Sequence, residues 1–455
     1  MATAVTRMDN DDLEAVLGSD DATAEAFLRL LPHPADIVEI LRAVDSRQWP
    51  RLLRLVSDDE ERAEAVALLD EGERTALLTL LEPEEIGQLI RNLDSDDATD
   101  VLEDLPPQEQ KEALQSLQPE ERAQVEQLLR YEPDSAGGLM QFERAQVRHG
   151  ATVDDAVERV RALVDDNISV QVVYVVDDED RLIGCVDTTQ LLFHRRDRRV
   201  SELMEAPVAK VLPDEDQEQV ARLFKKYGMF ALPVVDKDGR MLGRIVHDDV
   251  IDVVVEEADE DALKQAGTSS EELLYRDRVF AIARVRLPWL IVTLFGSLVS
   301  ASLIRFYQGV LAEALVLASF VPVVTAMGGN VGSQSATILT RGLATGRINL
   351  ADITSILFRE LRVGLLMGLT CGTGVGLVAA LFFSDGKWTL GIVVFAAMTA
   401  AMTVAATVGT LAPAIMKRSG IDPAIASGPF VTTANDGIGI VIYMSTALLF
   451  LESLK

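Results

Sequence analysis

Five long apolar stretches fill the C-terminal part of this 455-residue chain, and they constrain its fold more than any other feature. They run over 287–304, 311–340, 363–383, 388–416 and 423–451. A helix needs about 20 residues to cross the hydrocarbon core of a bilayer. One such run could be a buried helix of a soluble domain, but five in succession predict a polytopic membrane domain.

The placement of Lys and Arg predicts the orientation of these spans. The basic residues on one side are Arg276, Arg278, Arg284 and Arg286 before the first span, Arg341, Arg347, Arg359 and Arg362 between the second and third, and Lys417 and Arg418 between the fourth and fifth. The opposite side offers only Arg305, Lys387 and Lys455. We therefore expect a multi-pass protein of the plasma (inner) membrane with its N-terminal half in the cytoplasm and its C-terminus outside.

Polar residues interrupt two of the spans. The second carries Asn330 and Gln334, four residues apart among glycines, and the fifth carries Thr432 and Asp436. An acid at mid-span costs about 2.5–3.5 kcal/mol on an insertion scale. Such a residue normally faces a cavity or a partner, which makes it a functional candidate. No Lys or Arg lies inside any predicted span, so a passing cation is the expected partner of Asp436. The alternative for the glycines is close helix packing alone.

The charge distribution divides the chain in two. The net charge is −30, yet the residues from 276 onward contain 13 basic and 8 acidic side chains, so the acid excess lies entirely in the first 275 residues. An acidic surface attracts cations and repels nucleic acid. The N-terminus has no apolar core of signal-peptide length, which again favours a cytoplasmic N-terminal half. No nucleotide-binding loop or hydrolase motif is present, so the sequence does not predict an enzyme.

The N-terminal half of the chain contains two different sequence patterns. Residues 22–132 repeat leucines and acids at helical spacing, with proline near the start of each helix, which predicts an α-helical superhelical N domain after an extension at 1–21 whose order the sequence leaves open. Residues 175–184 (VVDDEDRLIG) then recur as 234–243 (VVDKDGRMLG). This duplication resembles a tandem pair of CBS domains, here 133–200 and 201–254. A linking helix over 255–283 leads to the membrane domain, 284–455.

The complete order of parts is similar to the MgtE family of magnesium channels. The specific features are PVVTAMGGNVGSQSAT in the second span and DPAIASGPFVTTANDG at the start of the fifth. The resemblance implies a homodimer in membrane lipid, with a Mg²⁺ pore lined by the second and fifth spans. Asp436 matches the pore carboxylate, Asn330 belongs to the Gly-Gly-Asn signature, and Asp422 matches an acid near the cytoplasmic mouth.

The resemblance also implies a function for the acidic N-terminal half. Intracellular Mg²⁺ bound between the cytoplasmic domains would hold the linking helix as a plug. The matching acids are Asp96, Asp100, Asp216, Glu218, Asp249, Asp252, Glu257, Glu260 and Asp261. The alternative for each is a solvated surface. Gly228 and Gly428 depart from positions where the family can present an acid and an amide. ATP at the CBS cleft stays open.

The sequence thus predicts a multi-domain, mainly α protein with an α/β CBS pair and five membrane helices. The favoured function is a Mg²⁺-selective channel closed by intracellular Mg²⁺. Two alternatives remain, namely an ion-coupled secondary transporter for other divalent cations such as Co²⁺ or Mn²⁺, and a CBS-regulated membrane sensor with no flux. A proton-coupled carrier would depend on a pH gradient, and a sensor would bind nucleotide without passing ions.

Overall fold

A computed structural model describes residues 20–165, 167–269, 279–383, 388–426 and 428–454. The chain divides into two compact units, residues 1–255 and 256–455. Most of the expected N-terminal extension and the middle of the expected linking segment lie outside the described residues, as do Arg276, Arg278, Lys387 and Lys455. The predicted fold class is confirmed, because the chain is mainly helical, with an α/β region at 145–246 and long apolar helices after 279.

Nine short α-helices follow one another over residues 21–128. They are α1 (Asp21–Leu28), α2 (Pro34–Ala43), α3 (Trp49–Leu55), α4 (Asp59–Ala67), α5 (Glu71–Leu78), α6 (Pro83–Ile90), α7 (Ser95–Glu103), α8 (Pro107–Ser116) and α9 (Pro119–Leu128). Proline opens four of them, where its missing N–H leaves nothing unpaired. Their apolar faces form two clusters, one around Leu41 and Trp49 and one around Val101 and Leu102.

The α/β region contains two similar hairpins. Its elements are β1 (Ala145–Arg148), α10 (Val153–Asp165), β2 (Val172–Val176), β3 (Leu182–Asp187), α11 (Thr188–Phe193), α12 (Gln217–Tyr227), β4 (Ala231–Val235) and β5 (Met241–Val246). The pairs β2–β3 and β4–β5 are antiparallel, and β1 adds to β2 in parallel. The register shifts after Val175 in one hairpin and after Val234 in the other. These positions are equivalent in the repeat, as expected of a duplicated unit.

A single helix, α13 (His247–Ala266), follows the second hairpin. The expected domain boundary at residue 255 falls inside it without a break. Residues 256–266 belong to the second unit, and α13 ends at Gly267, whose φ of 79° is a left-handed conformation that favours glycine.

The second unit continues with α14 (Val279–Phe306), α15 (Gln308–Glu313), α16 (Val321–Ala344), α17 (Ile353–Phe382), α18 (Thr389–Arg418), α19 (Pro429–Leu449) and α20 (Leu451–Leu454). In the part of the chain that is described, four stretches are long and apolar enough to cross a membrane: α14, α16 with the turn before it, α17 with the turn before it, and α18. The fifth predicted span is α19, whose 21 residues extend about 31 Å, close to the bilayer's thickness of about 30 Å. Its polar residues reduce its mean hydropathy.

Glycines allow these helices to approach closely. Gly364, Gly368 and Gly372 recur every fourth residue on α17, and a Cβ at Gly368 would lie 2.8 Å from the backbone of Thr399 on α18. Small residues at such spacing let two membrane helices pack backbone to backbone. The remaining contacts bring α16, α18 and α19 together as one packed group. This group carries the candidate ion path.

Candidate ion path and acidic cluster

Asp436 lies on α19 beside α16. A Cβ built at Gly329 of α16 would stand 3.8 Å from Asp436 Oδ1 and 3.1 Å from Thr432 Cγ2, so the glycine leaves space next to the carboxylate. One turn further along α16, the hydroxyls of Ser333 and Thr432 are hydrogen-bonded at 3.0 Å. Asp436 is half-buried, and no described residue makes an ion pair or a hydrogen bond with its carboxylate. The predicted intramembrane acid is therefore without a protein cation in the described ranges.

The two amides predicted on α16 lie on its exposed side. Asn330 and Gln334 are both exposed, one turn apart. Val331, Gly332 and Ser335 between and after them are buried. The predicted common face of Asn330 and Gln334 is thus present, and it lies at the surface of this unit.

A second group of side chains surrounds the start of α19, where the C-terminal end of α13 is packed. Lys264 Nζ donates to Asp422 Oδ2 at 2.7 Å and lies 2.6 Å from Glu260 Oε1. Asp422 Oδ1 accepts the backbone N–H of Ala424 at 2.8 Å. Partial burial lowers the pKa of Lys264, but the two carboxylates outweigh it and the net shift is upward. Asp422, predicted to bind a cation, is therefore occupied by a lysine ammonium.

The same helix end touches the backbone of the α19 entrance. A Cβ at Gly428 would lie 2.2 Å from the carbonyl oxygen of Gln265, so only glycine allows this approach. Asp261 forms an ion pair with Arg341 of α16 at 3.5 Å. Glu257, another predicted regulatory acid, is half-buried on α13 and is not free of interactions. The departure noted at Gly428 is thus explained by the close packing of α13.

In the first unit, α7 brings acids against the α/β region. Asp96 is 8% exposed, and its Oδ2 accepts a hydrogen bond from Gln141 Nε2 at 3.1 Å. Gln141 Oε1 in turn accepts from the buried Arg244 at 3.1 Å (Nε) and 2.8 Å (Nη2). A continuous chain of hydrogen bonds therefore links α7 to β5. The predicted partner of Asp96, Asp100, is exposed one turn further along α7.

Several carboxylates of this region have raised pKa values. The pKa is raised to about 6 for Asp94 and to about 7 for Asp97, and it lies well above the usual range for Asp96 and Asp249. Burial is the largest cause in each case, and a neighbouring carboxylate is the next. One oxygen of Asp249 is buried without a hydrogen-bond partner in the described part. A bound cation would stabilise the charged form of these acids.

A cavity of about 470 Å³ lies at this place, between helices α4 and α7 on one side and the α/β region on the other. Its acidic lining consists of Glu60, Glu64, Asp94, Asp97, Asp248 and Asp249, and Arg244 also borders it. Over the described ranges, however, no three His, Cys, Asp or Glu side chains come together as a preformed metal site. Mg²⁺ often keeps several waters and then needs only one or two carboxylates, so the arrangement suits a hydrated ion.

Three further predicted acids have local partners or lie on the surface. Asp216 caps α12 by accepting the N–H of Glu218 at 2.8 Å, and Glu218 forms an ion pair with Arg222 at 2.6 Å. Asp252 is exposed on α13. Gly228 ends α12 with a φ of 63°, which explains the glycine where the family can present an acid. The structure does not bring these acids to the cavity.

Sequence reasoning missed two features of the second unit. Glu360 is 8% exposed within α17 and accepts a hydrogen bond from Ser335 of α16 at 3.0 Å. Its neighbours Arg359 and Arg362 made this segment resemble a loop. Lys264 was also missed, although a lone lysine among the acids of the linking segment was a visible signal.

Three protein-family profiles match successive parts of this chain. The profile of a family described as divalent cation transporter, MgtE, matches residues 321–446, that of the MgtE intracellular N domain matches 32–134, and that of the CBS domain matches 200–256. The chain is 38% identical over 331 residues to the magnesium transporter MgtE of Thermus thermophilus, covering 72% of each chain. It is 35% identical over 327 residues to the magnesium transporter MgtE of Bacillus subtilis, again covering 72% of each.

A solved structure agrees with the first unit. It is the cytosolic domain of the Mg²⁺ channel MgtE in complex with ATP, 32% identical, with a TM-score of 0.50, and it covers 56% of this chain and 100% of that one. The sequence prediction of family is thereby confirmed. The chain belongs to the MgtE family of divalent cation transporters and is a transport protein, not an enzyme.

Proposed function

We propose that this chain is a Mg²⁺-selective channel in which Asp436 faces the permeating ion. The observation that carries the proposal is the half-buried Asp436 carboxylate, which stands beside Gly329 without an ion pair or hydrogen bond from any described residue. An acid on a membrane helix is costly unless something compensates it. The two relatives named magnesium transporters support Mg²⁺ as the compensating ion.

The chemistry of Mg²⁺ suits a path with few protein ligands. Mg²⁺ dehydrates reluctantly and prefers oxygen ligands in octahedral geometry. In the proposed homodimer, embedded in membrane lipid, Asp436 faces its twin across the path, and the ion between them relieves their repulsion. Thr432 and Asn330 supply further oxygen ligands along the same two helices. Acids around a pore are a common basis of cation selectivity.

The proposed gate is the end of α13. Its contacts with the α19 entrance, through Lys264 and Gln265, support a plug that closes the path. Intracellular Mg²⁺ binding to the acids of the cytoplasmic domains favours the closed state, which is linkage between ion occupancy and a two-state element. The acids proposed for this role are Asp96, Asp100, Asp216, Glu218, Asp249, Asp252, Glu257, Glu260 and Asp261.

Two further parts of the proposal concern location and nucleotide. The protein resides in the plasma membrane with its first unit in the cytoplasm and its C-terminus outside. This orientation is supported by the uneven placement of Lys and Arg around the spans.

The related cytosolic domain was solved with ATP, which supports ATP binding at the CBS pair here. Titration of the purified protein with ATP tests that addition independently of ion flux.

The function is tested by reconstitution in liposomes that contain a Mg²⁺-sensitive dye. We expect passive Mg²⁺ influx that follows the Mg²⁺ gradient and the membrane potential, and that falls as inside Mg²⁺ rises. The influx should be unchanged when a pH or Na⁺ gradient is imposed or abolished. Dependence on either gradient would establish a coupled carrier, larger Co²⁺ or Mn²⁺ flux would overturn Mg²⁺ selectivity, and no flux under any gradient would leave only a sensor.

A further inference from the structure

Asn435, the residue before Asp436, is buried in a way that the ion path does not explain. It is 2% exposed, and neither its Oδ1 nor its Nδ2 has a hydrogen-bond partner among the described residues. Leaving a buried amide unpaired opposes folding. The packing neighbours of the Asn435 side chain must therefore explain why an amide is buried there.

The contact is with a glycine on α16. A Cβ built at Gly332 would lie only 1.8 Å from Asn435 Nδ2 and 3.1 Å from its Cγ, so the amide occupies the space of a missing side chain. On the opposite helix, a Cβ at Gly409 of α18 would stand 2.2 Å from the carbonyl oxygen of Gly332. The backbone of α16 at Gly332 is therefore clasped between Gly409 and Asn435.

This clasp bears directly on Asp436. Successive residues of an α-helix point about 100° apart, so the seat of Asn435 in the Gly332 notch sets the direction of the next side chain. Asp436 then meets α16 at Gly329, one turn before Gly332. A rotation of α19 would need the amide to leave the notch.

We propose that Asn435 is a positioning residue for permeation: its amide, seated against Gly332, holds α19 in the rotation that places Asp436 on the ion path. The inference rests on the proposed path at Asp436 and extends it to a residue that touches no ion. When the amide is lost, half-saturation of influx should need a higher Mg²⁺ concentration, because the Asp436 carboxylate is then less well placed.

The test measures Mg²⁺ influx into proteoliposomes over a range of outside Mg²⁺, for matched amounts of folded protein. Asn435→Ala should raise the half-saturating Mg²⁺ concentration about tenfold, with a smaller change in maximal influx. Val431→Ala is the matched control, because Val431 packs on the same glycine with an apolar side chain, its Cγ1 being 3.2 Å from the position of a Gly332 Cβ. It should keep the wild-type half-saturating concentration.

A steric cycle tests the contact itself. Gly332→Ala should abolish influx, and adding Asn435→Ala should restore it to the level of Asn435→Ala alone, whereas adding Val431→Ala should not. Gly409→Ala should not be restored by Asn435→Ala, because its added methyl meets backbone.

An unchanged half-saturating concentration in Asn435→Ala overturns the inference, as does a Gly332→Ala/Asn435→Ala protein no more active than Gly332→Ala/Val431→Ala. If Gly332→Ala does not fold, the concentration dependence of Asn435→Ala decides alone. If Asp436→Ala keeps full influx, the proposed path itself has failed. If Asp436→Ala abolishes influx while Asn435→Ala matches wild type, only the positioning role has failed.

Discussion

Replacing Lys264 by methionine removes the ammonium that joins α13 to the entrance of α19 while keeping an apolar stem of similar length. The ammonium lies 2.7 Å from Asp422 and 2.6 Å from Glu260. The Lys264 side chain is 25% exposed and that of Asp422 is 36% exposed, so water screens the pair in part. If this contact holds the plug, Lys264→Met favours the open state.

The magnitude follows from the distance and the exposure. At 2.7 Å the Coulomb energy is about 1.5–6 kcal/mol for effective dielectric constants of about 80 to 20. Ordering the two side chains and their partial exposure reduce the net contribution to about 1–2 kcal/mol. That corresponds to a factor of roughly 5–30 in the equilibrium between closed and open states.

The assay is Mg²⁺ influx into proteoliposomes as a function of inside Mg²⁺. We expect Lys264→Met to raise the half-inhibitory inside Mg²⁺ concentration roughly 5–30-fold, with unchanged influx when inside Mg²⁺ is very low. Lys264→Arg is the control and should stay near wild type, since it keeps the charge. A lower half-inhibitory concentration in Lys264→Met would show that this contact does not hold the plug. In that case Asp422 itself would bind regulatory Mg²⁺, and the freed carboxylate would bind it more tightly, so inhibition would need less Mg²⁺.

Three further predictions concern the gate, the acids and the helix packing. Gly428→Ala places a methyl 2.2 Å from a backbone carbonyl of α13, so influx should persist at inside Mg²⁺ levels that close the wild type; normal closure would contradict the packing. The pKa values of Asp94 and Asp97 are raised to about 6 and 7, against 3.8 for an ordinary aspartate. Between these values the native state therefore binds more protons than the unfolded state does. The free energy of unfolding of the metal-free protein should therefore fall as pH rises from about 4 to 7, and Mg²⁺ should raise Tm more at about pH 8 than at about pH 5.5. An equal Mg²⁺ effect on Tm at both values would refute it. Glu360→Leu leaves the buried Ser335 hydroxyl without its acceptor and should lower the free energy of unfolding by about 1–3 kcal/mol. Glu360→Gln keeps the hydrogen bond and should stay near the wild type. Equal melting temperatures of the two variants in detergent would contradict this.

Local pattern predicted most of the fold. Apolar length located the membrane helices, and the duplicated motif around 175–184 and 234–243 located the two hairpins. The pattern failed at the start of α17, which begins at Ile353 rather than near 363. Arg359 and Glu360 hid the helix there, because their ion pair at 3.1 Å and the hydrogen bond from α16 compensate charges that look incompatible with a membrane helix.

The candidate site was predictable only where one residue carried the signal. Asp436 stood out because a carboxylate in an apolar run needs compensation. The bond between Lys264 and Asp422 joins residues 158 positions apart, and the bond between Asp96 and Gln141 joins residues 45 apart. No local periodicity encodes such pairs, since they depend on how separate elements pack.

If Mg²⁺ passes Asp436, its influx must depend on that carboxylate. Mg²⁺ influx is measured under a fixed membrane potential and very low inside Mg²⁺, for wild type and Asp436→Ala reconstituted at equal amounts. We expect passive influx in the wild type and its loss in Asp436→Ala. Undiminished influx in Asp436→Ala would mean that the ion path lies elsewhere in the protein.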